Sequence, residues 1–289
     1  MRGRVESNRG TGREFHRSHG DGAEGGRKPH LADRSASWSG GGLPGISVVV
    51  PAYNEEQRLE ASLVRIWNYL TRRFSAFELI VVDDGSTDAT AQVVEEFAAG
   101  HPSVALIAYQ PNRGKGYAVR TGILRASYEL MLFSDADLAT PIEEVEALLE
   151  RIVAGADVAI GSRMVAGSQL KVRQPWYREL AGRSFNRLAQ RMATPGIVDT
   201  QCGFKLFFGP VARDVFSRMS EDGFGFDIEV LLLALRLGYE VAEVPVEWRH
   251  CEGSKVRLLR DSARMFSTLV RVRKRHHAVR SLKNECVRV

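Results

Sequence analysis

Cysteine is scarce in this 289-residue chain: Cys202, Cys251 and Cys286 are odd in number and lack metal-ligand spacing. That argues against a disulfide framework and a cysteine zinc site, and for a reducing, cytoplasmic setting. Long apolar runs are missing as well. Even Val230–Leu235 is stopped by Arg236, far short of the ~20 residues that span a bilayer. The first residues are polar and rich in Gly and Arg, unlike a secretory signal. The chain is therefore expected to touch a membrane at its cytoplasmic face without crossing it. The histidines show no metal spacing, and His276-His277 sit in a basic run.

What is present is a core-forming composition, 44% apolar, with charge segregated along the chain. Residues 249–289 hold 12 Lys/Arg against 3 Asp/Glu, whereas residues 43–248 hold 20 against 27. An acidic body with a basic end is a poor match for a nucleic-acid groove, because the middle would repel a phosphate backbone. It suits a metal-using enzyme with an anion-facing or membrane-facing end.

Residues 1–43 lack apolar periodicity and read as a disordered polar leader. From Ile46 short β-branched runs (ISVVV, FELIVV, VALIAY, ELMLF, DVAIG) alternate with helical stretches. These predict βαβ units and an α/β fold with a mostly parallel sheet and flanking helices. Ligands of such sheets sit beyond the carboxyl ends of the strands. Further on, the pattern predicts a helix over 176–192, a strand in GFKLFFG, helices over 211–219 and 226–237, and a strand in VAEVPVEW. Pro245 marks that last strand as an edge. A basic helix follows from about Leu258 to Lys274. The expected units are the leader, a catalytic domain over 44–256, and a basic amphipathic helix and tail over 257–289.

The chemistry-bearing residues fall just after the predicted strands. The run MLFSDAD ends in Asp135 and Asp137; two residues apart on a strand share a side. Such hard oxygen ligands suit Mg²⁺ or Mn²⁺ holding a diphosphate. A solvated acidic turn is the plainer alternative for that stretch alone. Pro51-Ala52-Tyr53-Asn54-Glu55 offers a ring to cover a planar base and a carboxylate to accept hydrogen bonds, or simply a turn with Asn54 as N-cap. Asp83 and Asp84 put adjacent charges at another strand end, where they can accept bonds from a base edge and ribose hydroxyls. Ser86 or Thr87 would cap the next helix. Asn112-Arg113-Gly114-Lys115-Gly116 opens a helix whose N-terminus favours an anion, with Lys115 within reach of donor phosphates.

PAYNE, VVDDGSTD, NRGKGYAVRTG, SDAD and GSR, in this order, resemble an inverting family 2 glycosyltransferase of the GT-A (Rossmann-like) fold. DTQCGFKLF, FDIE, VEW and GSK narrow the resemblance to dolichyl-phosphate β-glucosyltransferases, kin of the dolichyl-phosphate mannose synthases. It covers about residues 46–275. It implies that Pro51, Ala52, Tyr53, Glu55, Asp83 and Asp84 hold the nucleoside, and Asp135 and Asp137 the metal diphosphate. It assigns Arg163, Arg249, Ser254 and Lys255 to phosphate, and Asp199, Gln201 and Lys205 to the reacting centre. Arg178 is the helix arginine expected to reach the acceptor. Ala139 departs from the mannose synthases, which commonly carry Gln there, so coordination would need more water. The spanning helices or N-terminal anchor of some relatives are not expected here.

The implied reaction moves glucose from UDP-glucose to a polyprenyl (dolichyl-type) phosphate with inversion, giving a β-linked lipid phosphosugar. The alternatives are a GDP-mannose-dependent enzyme on the same acceptor, or a non-catalytic sugar-nucleotide-binding scaffold recruited to a membrane. Asp199 is expected to orient rather than act as base, since a phosphate monoester is largely ionised near neutral pH; capping or pairing with Lys205 are its other readings. Arg163 would otherwise pair with Asp157, Asp227 would cap its helix, and Glu229 would pair with a nearby base. In the basic helix, Met265, Phe266, Leu269 and Val272 form one stripe, which either meets a membrane surface or packs on the body.

Overall fold

In the computed structural model, the described residues are 43–172, 186–249 and 258–279. The expected strands form. They are β1 (Ile46–Ala52), β2 (Phe77–Asp83), β3 (Val104–Ala108), β4 (Leu130–Ser134) and β5 (Val158–Ser162). Between them lie α1 (Leu59–Arg73), α2 (Thr90–Ala99), α3 (Lys115–Arg125) and α4 (Val145–Val153). After β6 (Gln169–Val172) come a helical segment over 186–192, β7 (Phe204–Phe208), α5 (Gly209–Arg218) and α6 (Phe226–Arg236). The strands β8 (Val241–Pro245) and β9 (Glu247–Arg249) and the helix α7 (Leu258–Arg275) complete it. VAEVPVEW thus breaks at Val246 into two strands, and β6, which pairs with β9, was not expected.

The main sheet has the order β3-β2-β1-β4-β7-β5-β8. Its pairs are parallel except those made by β7, which runs antiparallel to both β4 and β5. Pro245 ends the edge strand β8. The chain winds outward from β1 to β3 and then returns to lay β4 on the other side of β1. The carboxyl ends of β1 and β4 therefore flank a topological switch point, where open α/β sheets bind ligands. Because β7 is reversed, its amino end, with the loop before it, arrives at that same edge.

Alternation along β1 divides the core. Ile46, Val48 and Val50 pack with Leu63, Ile66 and Leu70 of α1 on one face, and Val49 packs with Val119 and Ile123 of α3 on the other. A third cluster joins Ala189, Ile228 and Leu232 to Leu269 and Val272 of α7. Those two stripe residues are buried against the body and are not available to a membrane; Phe266 is half exposed.

Candidate active site

Strand β4 ends at Ser134, so Asp135 and Asp137 lie in the following turn rather than on a strand. The Asp135 amide donates to Gly203 O at 3.0 Å, tying the turn to the loop before β7. Leu138 takes φ +47°, a left-handed conformation uncommon for leucine, and its side chain is buried. This bend lets the Ala139 amide donate to Asp137 Oδ1 at 3.0 Å. Burial, and then the neighbouring Asp135 charge, raise the Asp137 carboxyl above its ordinary pKa.

Lys115, the first residue of α3, places Nζ 2.6 Å from Asp135 Oδ1. Burial would lower its pKa, but Asp135 and then Asp227 outweigh that and hold the ammonium charged. The lysine reaches this point because Gly114, at φ +111°, turns the chain into the helix. A side chain there would strike Asp222 O.

At the end of β1, Ala52 lies beside Asp83, and Ala52 O accepts from the Asp84 amide at 2.9 Å. Tyr53 is exposed beside this edge. Asn54 does not cap α1. Its amide donates to Ser86 Oγ (2.9 Å) and its Oδ1 accepts from the Thr87 amide (2.8 Å), stitching the two loops together. Ser86 and Thr87 likewise do not cap α2, whose N-cap is Ala89. Asp83 accepts instead from the amide and hydroxyl of Ser86. Asp84 is turned inward. Its two oxygens accept from Tyr109 Oη (2.9 Å), Asn112 Nδ2, Arg113 N and Gly114 N (each 2.8 Å). Four donors on one carboxylate leave it building the Lys115 loop rather than reaching for a base.

Across the site Asp199 is fully buried and grips Arg163 through Nε (2.7 Å) and Nη2 (2.8 Å). The amides of Arg163 and Gln201 also donate to it. Burial alone would raise its pKa; Arg163 and these amides overcome that and hold it at about 2. Arg163 therefore pairs with Asp199 rather than with Asp157, and its guanidinium lies 5.6 Å from the Trp248 ring. Gln201 Nε2 is buried without a hydrogen-bond partner. Lys205 is almost wholly buried and donates to Asp227 Oδ1 and Cys202 O, both at 2.5 Å. It is thus in the wall behind the site rather than at its surface, and Asp227 is its partner rather than a helix cap.

Arg249 pairs with Glu247 at 2.7 Å, and its amide donates to Ala139 O at 2.8 Å, just beyond the acidic turn. Arg178, Ser254 and Lys255 lie outside the described residues, as do residues 1–42 of the expected leader, Cys251 and Cys286.

Two contributors escaped the sequence reading. Arg58 binds Glu55, with Nη2 2.9 Å from Oε1, and its charge partly opposes the upward shift of the Asp137 carboxyl. Its spacing of three from Glu55 is the one signal that could have found it. Glu243 of β8 accepts the amides of Val198 and Asp199 at 2.8 and 2.7 Å, a contact across 44 residues that no local pattern encodes.

The donor set bears on a metal. Among the described residues no group of three or more His, Cys, Asp or Glu converges as a complete metal cage. Two carboxylates at a sheet end still fit Mg²⁺ or Mn²⁺, which commonly take one or two protein carboxylates and complete their shells with substrate phosphates and water.

This architecture is a GT-A glycosyltransferase fold, and residues 47–216 match the family described as Glycosyl transferase family 2. The chain belongs to that family. It is 36% identical over 243 residues to a dolichyl-phosphate β-glucosyltransferase of Dictyostelium discoideum, covering 80% of this chain and 74% of that protein. The Homo sapiens dolichyl-phosphate β-glucosyltransferase is 37% identical over 224 residues, 73% and 69% of the two chains. Among solved structures, glucosyl-3-phosphoglycerate synthase from Mycobacterium tuberculosis with Mn²⁺, UDP-glucose and phosphoglyceric acid shares the fold. Its TM-score is 0.60 at 22% identity, over 86% of each chain. Mannosyl-3-phosphoglycerate synthase from Rubrobacter xylanophilus has a TM-score of 0.61 at 21% identity, over 85% of this chain and 76% of that one.

Proposed function

We propose that this glycosyltransferase moves glucose from UDP-glucose to a dolichyl-type polyprenyl phosphate, inverting the anomeric centre. The observation that carries the reading is the meeting, at one sheet edge, of the acidic turn with Lys115 and of the Asp199–Arg163 pair. Similarity to the dolichyl-phosphate β-glucosyltransferases supplies the sugar and the acceptor.

In this reading residues 44–256 form the catalytic body and 257–289 its basic extension. Asp135 and Asp137 would hold a divalent cation, which when bound neutralises charge growing on the departing diphosphate. Lys115 adds a fixed positive charge at the same place, stabilising the transition state electrostatically. Tyr53, beside Pro51 and Ala52, would cover the base, with Asp83 and Glu55 nearby for hydrogen bonding.

An acceptor phosphate monoester needs no strong protein base. It needs holding in line with the anomeric carbon. Asp199 fixes the Arg163 plane, Arg249 brings a second guanidinium to the rim, and Gln201, whose amide donates to Asp199, belongs to the same loop. No described helix is long and apolar enough to cross a membrane. Contact with a lipid surface would therefore fall to exposed groups of α7 such as Phe266, Arg273 and Lys274.

The test supplies purified protein with Mn²⁺ or Mg²⁺, labelled UDP-glucose or GDP-mannose, and a short polyprenyl phosphate in detergent. Label should move into the organic phase from UDP-glucose, and Asp137→Asn should abolish it. Transfer from GDP-mannose alone would overturn the donor, and no transfer from either would favour the scaffold.

A further inference from the structure

FDIE puts two acids two residues apart on α6, about 200° around the helix axis, and they serve different neighbours. Asp227 faces Lys205. Glu229, wholly buried, faces the segment before α6. It accepts from Ser220 N (2.9 Å), Ser220 Oγ (2.7 Å) and Glu221 N (2.6 Å), and its Oε1 lies 2.6 Å from His276 Nε2 at the end of α7. A carboxylate with four such partners is fixed in place.

The segment it fixes is the floor of the Lys115 loop. The Tyr117 amide donates to Asp222 O at 3.1 Å. Gly116 lies so close that a Cβ would stand 2.4 Å from Glu221 O. Backbone against backbone transmits displacement with little give, because neither side has a rotamer to relax into. From Glu229 to the helix turn bearing Lys115 there is one intervening segment. The helix α7 joins the same clamp through His276 and through Arg271, 3.0 Å from Glu221.

We infer that Glu229 is a positioning residue for the transfer. By clamping residues 220–222 it sets where Lys115 stands relative to Asp135, and His276 makes the clamp depend on α7 being docked. The inference rests on the reading of Lys115 as a donor-phosphate residue.

A double-mutant cycle on UDP affinity, measured by calorimetry with Mn²⁺, tests it. Glu229→Ala should weaken UDP binding about fivefold, a size typical of coupled neighbours. Glu229→Gln, whose carbonyl can still accept both amides, should restore most of it. In a Lys115→Met background the Glu229→Ala loss should shrink below about twofold. His276→Ala, which removes a partner at the outer end, should show a smaller loss with the same dependence on Lys115. It decides the matter if Glu229→Ala does not fold. Equal losses with and without Lys115 in folded variants would overturn the clamp. An unchanged UDP affinity in Lys115→Met alone would instead overturn the role of Lys115, and the inference with it.

Discussion

Gly203 lies against Asp135 so closely that a Cβ on the glycine would stand 1.9 Å from the Asp135 Oδ2 atom. The glycine is needed for space, and the space belongs to a carboxylate of the acidic turn. Gly203→Ala should therefore push Asp135 off its position while leaving the sheet intact. We expect glucosyl transfer to fall at least about 100-fold, equivalent to roughly 2.7 kcal/mol of barrier, and Mn²⁺ affinity to fall with it. Circular dichroism should show unchanged secondary structure. Near-normal transfer by a folded variant would separate Asp135 from the chemistry.

The Asp199 carboxyl, held at about 2 against an ordinary 3.8, makes stability depend on acid pH. Its folded value lies below its unfolded one, so the contribution is complete above about pH 4 and fades as pH falls toward 2. At ~1.4 kcal/mol per unit the pair adds about 2 kcal/mol at neutral pH. Urea melts from pH 7 to 2.5 should show this loss in the native protein and a flatter profile in Asp199→Asn. That variant should also be less stable at pH 7 by roughly 3 kcal/mol, because it leaves the Arg163 charge largely buried and unpaired.

The parallel strands were legible because β-branched runs alternate with helical periods, and the strand ends that form the candidate site were legible with them, since ligands gather where such strands end. The reversed direction of β7 was not legible. GFKLFFG encodes a pleated, buried segment whichever way it runs, and only packing between β4 and β5 reverses β7. The same limit applied to side-chain partners. Asp84 and Asp83 look alike in sequence, but the donors that turn Asp84 inward come from 25 to 30 residues away. The apolar stripe of α7 was visible by its period, yet period alone does not say whether lipid or the protein's own Ile228 and Leu232 will cover it.

Cys202 is buried beside Gly161, and burial pushes its thiol up to about 11. The thiolate is the reactive form, so almost none is present at neutral pH. Iodoacetamide at pH 7.5 should leave Cys202 unmodified in the native protein, as read by peptide mass mapping, and label it fully in 6 M guanidinium. Native labelling faster than global unfolding would show that the loop carrying Asp199 and Gln201 opens locally.

Lys205 and Asp227 form an ion pair with almost no solvent access, bounded by Phe133, whose ring lies 5.8 Å from the ammonium. Such a pair is a weak source of net stability, because desolvation of both charges offsets their attraction, whereas removing one partner strands the other. Asp227→Asn should thus cost roughly 3–5 kcal/mol in urea unfolding. Lys205→Met/Asp227→Leu should cost clearly less than the two single changes together. Activity should follow a different order. Asp227 also holds Lys115 charged, so the double variant, though folded, should still bind UDP more weakly than the native enzyme. Full UDP affinity in that variant would mean that Lys115 draws its charge and position from Asp135 alone.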